Sequence, residues 1–319
     1  MNAFLNALPL AATPIVLAAL GGMFTHRAGV LNVALEGMML VGAFAAISAG
    51  AAAHSVWVGL LASVGAALLA GALFGLGCLV IRADVFVVGI GVNLIAAGLT
   101  SFLLLPLFGQ HGSYSPENFP DLPAIHLGAL SKVPILGPLF DGQSVIVYAT
   151  IVISALVYAT IRWTRLGMYI SIAGEAPEAL EAVGIGTARM QWVSILLCSA
   201  LCGLAGAQLS MAVLGSFTTN MTAGRGYIAL AAVFFAAGRP LGTVFAGCLF
   251  GAAEALSNTL QINGFPSELI LMLPYVLTII ALTSSRLLAL ESVRRWAAGQ
   301  GRWIRWTGIS GRPERVSAR

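Results

Sequence analysis

The sequence predicts an all-α protein, a polytopic transmembrane helical bundle of about nine to ten spans, some of them broken or re-entrant. Three observations predict it. Hydrophobic residues make up 59% of the chain and charged residues only 9%, with a mean hydropathy of +0.93. An ordinary soluble domain carries about 25% charged residues, so a water-facing surface cannot be built from this composition. The apolar residues fall into separate runs near the ~20 that a helix needs to cross a bilayer. The 37 glycines suit a bundle in which small residues let helix backbones approach closely.

The runs lie at about 4–23, 30–53, 56–81, 86–108, 143–161, 191–214, 227–238, 240–260 and 267–284. No Lys or Arg precedes Arg27, so the first run lacks the positive flank of a signal peptide and reads as a span. The run 227–238 is short for a bilayer. It reads as a half-helix that meets the next span at Arg239-Pro240, a break tolerated at depth only under cover of protein or a water cavity. Residues 1–285 form one membrane domain and residues 286–319 a basic tail. That tail holds Arg286, Arg294, Arg295, Arg302, Arg305, Arg312, Arg315 and Arg319 against Glu291 and Glu314. Basic residues mark the cytoplasmic side, so the tail is expected there. Counting spans backwards places the 162–190 loop (Arg162, Arg165, Arg189) and the turns at Arg27 and Arg82 on the same side. The proline-rich 109–142 loop falls outside. Trp296, Trp303 and Trp306 among the tail arginines suit either an interfacial segment on anionic lipid or a solvated tail.

Gly71-Ala-Leu-Phe-Gly75 and Gly247-Cys-Leu-Phe-Gly251 are small-xxx-small patterns fit for tight helix crossings, whether or not they descend from a duplication. Cys78, Cys198, Cys202 and Cys248 sit in apolar runs and read as small buried hydrophobes, with no spacing for a metal or a disulfide framework.

Polar groups at membrane depth are expensive and are functional candidates. Asn32 and Glu36 are four apart, on one helix face. They either line a cavity and bond a polar solute, or bond neighbouring helix ends and organise the bundle; Glu254 carries the same two readings. Asn93, in the middle of an apolar run, needs partners that are either solute or another helix. Arg225, between Gly224 and Gly226, is expected at the outer mouth, attracting solute, pairing with a docking protein or simply marking the interface.

The 162–190 loop carries the sharpest local signal. Gly167 and Gly174 precede Glu175-Ala-Pro177-Glu178-Ala179-Leu-Glu-Ala182-Val-Gly184-Ile-Gly186. Pro177 fits the first helical position and Glu178 and Glu181 favour a helix N-terminus. Gly184 or Gly186 can close the helix in a left-handed cap. The prediction is a helix of about two turns, with Leu180, Val183 and Ile185 making apolar contacts. A stiff helix held between two spans can transmit force from a docked partner, or it is a plain connector. The chain has no G-x-x-x-x-G-K-[ST] sequence to cradle nucleotide phosphates, so any ATP it depends on is hydrolysed by another chain. No paired carboxylates, metal-spaced histidines or nucleophile–base set support a membrane enzyme.

Several blocks resemble the branched-chain amino acid/ribose/nucleoside class of ABC permeases, most nearly the nucleoside and simple-sugar permeases. Residues Gly29 to Ala43, containing Asn32 and Glu36, resemble the class's N-terminal signature. Asp84 to Asn93 is similar to a second block, 167–186 to the coupling helix, and Gly224 to Ala231 with Arg239 to Gly242 to a fourth. Ala176 and Ser171 depart from the class, which often has Asn before the loop proline and a basic residue before the loop glycine. The resemblance implies a non-catalytic importer subunit in the bacterial inner membrane, with no cofactor of its own. It implies a second homologous permease, a cytoplasmic ABC ATPase dimer docking on Gly167, Gly174, Glu175, Pro177, Glu178, Ala179, Ala182 and Gly184, and an extracytoplasmic solute-binding protein; nothing points to nucleic acid. Nucleosides are the implied cargo, with simple sugars or branched-chain amino acids as alternatives, and Asn32, Glu36 and Asn93 lining or shaping the pathway. A stand-alone secondary transporter of a small polar solute remains the competing reading.

Overall fold

A computed structural model of the chain describes residues 2–116, 119, 122–125, 139 and 141–262. Contacts divide the chain into two units, Met1–Thr278 and Ile279–Arg319, and every described residue belongs to the first. Helix α1 spans Asn2–Arg27 and α2 spans Leu35–Ala53, closing at His54 in a left-handed conformation. Helix α3, Val56–Gly75, runs on as a π-helical stretch over Leu76–Val80. Helix α4, Val85–Phe108, starts where Asp84 accepts the backbone N–H groups of Phe86 and Val87 at 3.0 and 3.1 Å, satisfying donors that a helix N-terminus leaves open. After α5, Val145–Trp163, come α6, Arg165–Glu175, and α7, Pro177–Ala182. Helix α8, Thr187–Ala207, continues as a π-helical stretch over Gln208–Leu214. The short α9, Arg225–Phe235, precedes α10, Pro240–Ile262.

Seven of these helices are long and apolar enough to cross a membrane, and α9 is the short apolar helix that the sequence predicts. The run 267–284, which the count of nine to ten spans includes, lies outside the described residues, as do the tail 286–319 and much of the 109–142 loop. Two details differ from expectation. The second run is not helical from residue 30, because residues 28–34 form an irregular connection. There Gly29 takes φ +77° and the Asn32 side chain accepts the Ala34 N–H at 2.9 Å, an alternative to helical pairing. The 162–190 loop holds two helices rather than one, since Thr164 accepts the Gly167 N–H and starts α6 ahead of the predicted α7.

Helices α1, α2 and α8 are the most buried spans, while α3, α4 and α5 turn most of their apolar surface outward, as lipid or protein neighbours in a membrane require. The two repeated fragments both serve crossings. Gly71 and Gly75 of α3 face Ser199 and Trp192 of α8, and Gly247 and Gly251 of α10 face Val16 and Ala12 of α1. In each case an added Cβ would overlap the opposing helix, so glycine sets the interhelical distance. At the end of the bundle away from Arg27, two-residue ladders tie the connections: Ser113–Tyr114 with Phe217–Thr218, and Ala124–Ile125 with Gln143–Ser144. Phe44 packs edge-on against Phe217 there, centroids 5.1 Å apart.

Candidate functional site

The irregular 28–34 connection delivers Asn32 and Glu36 to the heart of the bundle. Glu36 stands in the first turn of α2, where a carboxylate suits the helix's positive end. Its oxygens are taken by a second helix. Oε1 accepts the Gly224 N–H at 2.8 Å and Oε2 accepts the Gly226 N–H at 2.7 Å. These are open donors at the start of α9, so a side chain 188 and 190 residues away supplies the cap that α9 lacks locally. Glu36 is buried at 7% exposure, where an unpaired carboxylate would be severely destabilising. Gly226 is required at this joint, because an added Cβ would stand 2.8 Å from Glu36 Oε2 and closer still to the Glu36 backbone.

Asn93 comes from α4, two turns beyond the Asp84 cap. Its Oδ1 accepts the Gly37 N–H at 2.8 Å, and its Nδ2 donates to the Val33 carbonyl at 3.0 Å and to the Tyr227 hydroxyl at 3.1 Å. One amide therefore joins α4, the start of α2 and α9. Unlike Glu36, it stays partly exposed, and Tyr227 is exposed beside it. Asn32 is 1% exposed, with Nδ2 donating to Cys198 Sγ at 3.3 Å. Thus the structure brings Asn32, Glu36 and Asn93 together around the 28–37 segment, and only Asn93 reaches the surface.

Arg225, the first residue of α9, stands one position from each end of the Glu36 clamp. Its Nε donates to Glu254 Oε1 of α10 at 2.6 Å and Nη2 is paired with the same oxygen; Nη1 donates to the Met221 carbonyl at 2.9 Å. Arg225, expected at an outer mouth, and Glu254, expected at membrane depth, are partners.

The loop residues lie at the other end of the site. In α7 Pro177 occupies the N-terminal turn as expected, and Gly184 adopts φ +80° as the helix closes. Leu180 is buried at 1% and packs with Ala173 and Met190, with Tyr169, Ile172 and Ile185 around them. Val183 is not part of that cluster; it is 69% exposed, because the closing turn rotates it away from Leu180. Glu175, Pro177, Glu178, Ala179, Glu181, Ala182 and Gly184 are all exposed. Gly167 is buried against the Thr160 carbonyl of α5, whereas Gly174 is exposed on one side and packs on the other against the Arg27 carbonyl and the Gly29 N–H. Neither site has room for a side chain. Sequence reading passed over Tyr227 and the contacts of Arg27. Tyr227 was legible only as the last residue of Gly-Arg-Gly-Tyr, and Arg27 only as a turn cation.

The family described as branched-chain amino acid transport system / permease component matches residues 5–282. The chain is 34% identical over 290 residues to a guanosine ABC transporter permease of Bacillus subtilis, covering 85% of this chain and 88% of that one. It is 32% identical over 254 residues to a putative glucose ABC transporter permease of Haloferax volcanii, covering 79% and 76%. A second guanosine ABC transporter permease of B. subtilis is 28% identical over 279 residues, covering 81% and 75%. No solved structure matches. Such permeases are non-catalytic membrane subunits, which agrees with the missing P-loop and sets aside the stand-alone carrier that composition alone left open. The chain belongs to this family of permease components, spanning the membrane and leaving ATP hydrolysis to another subunit.

Proposed function

We propose that this chain is the translocating subunit of an ATP-driven importer of nucleosides, with simple sugars as the second choice of cargo. It works beside a second, different permease, takes solute from an extracytoplasmic binding protein, and is driven by a cytoplasmic ABC ATPase dimer docked on α6 and α7. The observation that carries this reading is the face of α7. A six-residue helix is pinned by buried Leu180 and leaves Glu178, Ala179, Glu181, Ala182 and Val183 exposed. Gly174 locks its mounting to the 27–29 turn.

The topology supports placing that face in the cytoplasm. Arg27, Arg82, Arg162, Arg165, Arg189 and Arg239 stand at the turns of the same end as α7, and cytoplasmic ends are rich in such residues. With the crossing expected from the sequence over 267–284, this orientation takes the C-terminus to the cytoplasmic side of a bacterial inner membrane. The different identities to the two guanosine permeases of B. subtilis, 34% and 28%, favour a pair of unlike permeases over a pair of copies. The pathway follows the face where Asn93 and Tyr227 place polar atoms among the exposed apolar residues Phe86, Ile90 and Leu94. Asn32 and Glu36 shape that face from behind, and Arg225 secures the start of α9.

The test uses the importer assembled with its partners in proteoliposomes. Val183→Asp and Glu178→Arg are expected to lower ATP-driven uptake at least tenfold and to weaken ATPase association, while labelled guanosine is taken up in preference to glucose. If substitutions across 174–186 leave ATPase association and uptake intact, the docking assignment fails. Uptake by the chain alone under an ion gradient would overturn the importer reading.

A further inference from the structure

The 27–36 segment holds α9 at both ends. Glu36 grips its first turn, and Arg27 grips the turn that follows its last residue. The chain leaves α9 through Ala237 at φ +49° and Gly238 at φ +66°, and the Gly238 carbonyl accepts Arg27 Nε at 2.8 Å. The fit around Gly238 is close: a Cβ there would stand 3.0 Å from His26 Nδ1, and the His26 ring packs edge-on against Phe234 of α9 at 5.6 Å.

The same guanidinium reaches a third element. Arg27 Nη1 donates to Ser171 Oγ of α6 at 2.9 Å, and that hydroxyl donates onward to the Gly167 carbonyl at 3.0 Å. Ser171 lies three residues before Gly174, whose Cα packs directly on the Arg27–Gly29 turn. The start of α8 joins from the other side, where Gln191 Nε2 donates to the Ala28 carbonyl at 3.3 Å. A planar guanidinium presents its donors in a fixed fork, so two bonds from one group hold their acceptors at a set separation. A lysine ammonium is a point charge on a flexible stem and fixes no such geometry.

We propose that Arg27 is the positioning residue that carries movement of α6 and α7 to α9, by fixing Ser171 and the Gly238 carbonyl on one guanidinium. Displacement of the docking helix then pulls on the base of the half-helix whose top bears Tyr227 beside Asn93. The inference rests on α7 being the ATPase docking site. The cation that meets Ser171 comes from α1.

The assembled importer in proteoliposomes tests this, with ATP hydrolysis and solute uptake measured on the same preparations. Ser171→Ala removes only the α6 arm of the fork and is mild enough to fold. It is expected to leave hydrolysis within about twofold of the parent and to cut solute moved per ATP by about fivefold or more, the usual scale of coupling between sites. Arg27→Met is expected to cut that ratio at least as much, Arg27→Lys to restore only part of it, and the Ser171→Ala/Arg27→Met double variant to be no worse than Arg27→Met alone. An unchanged ratio in Ser171→Ala overturns the proposal, as do equal losses of hydrolysis and uptake or losses that multiply in the double variant. These outcomes separate from failure of the docking reading, which shows as α7 variants that keep full ATPase association whatever Arg27 does.

Discussion

Replacing Glu36 tests whether this carboxylate is a clamp or a cargo contact. Its two oxygens each accept one backbone N–H at the start of α9, at 2.8 and 2.7 Å, in a site only 7% exposed. A hydrogen bond to a charged group contributes about 1.5–3 kcal/mol, so Glu36→Ala is expected to cost about 3–6 kcal/mol locally. Glu36→Gln keeps one acceptor oxygen and loses the charge, for about half that cost, roughly 1.5–3 kcal/mol. Each 1.4 kcal/mol is a tenfold change in an opening equilibrium. Amide hydrogen exchange over residues 219–235, followed by mass spectrometry, reads that opening directly. Exchange near Gly224 and Gly226 is expected to speed up about 10- to 100-fold in Gln and at least 100-fold in Ala, with all cargoes taken up less and in unchanged proportion. Exchange that stays at the parent rate in Glu36→Ala, together with a changed preference between cargoes, would refute the reasoning.

Two further outcomes follow from the packing. Removing one partner of the partly buried Arg225–Glu254 pair, whose side chains are 21% and 10% exposed, leaves an uncompensated charge and is expected to destabilise by up to about 3–5 kcal/mol, whereas Arg225→Met combined with Glu254→Leu should be milder than either single change; thermal unfolding of the four proteins in detergent checks this, and additive losses would show the pair to be uncoupled. Gly251→Val drives a side chain into Ala12 across the α1–α10 crossing and is expected to cost at least about 1–3 kcal/mol on the same measurement; a variant as stable as the parent would mean that this crossing can open without cost.

The spans were legible because their signal is local. A run of apolar residues near bilayer length and a proline at the head of α7 act on their own neighbours, and the structure has helices where those signals stand. The break at 28–34 was not legible, because Asn32 sits in an apolar run and its local turn competes with helix only once Cys198 of α8 receives the rest of its amide. Val183 was misplaced because helical spacing was extended through a turn that Gly184 had already closed.

The candidate site divides the same way. Sequence by itself determined that a charge at position 36 and amides at 32 and 93 must find partners, since bare polar groups at that depth are too costly. It also determined that a short helix would start at Pro177 and close near Gly184. Only the tertiary structure decided who the partners are. Glu36 caps α9, Arg225 pairs with Glu254, and Arg27 spans Ser171 and Gly238 from 144 and 211 residues away. The requirement for a partner belongs to one side chain and its solvent, but the choice of partner belongs to the packing of helices far apart in the chain.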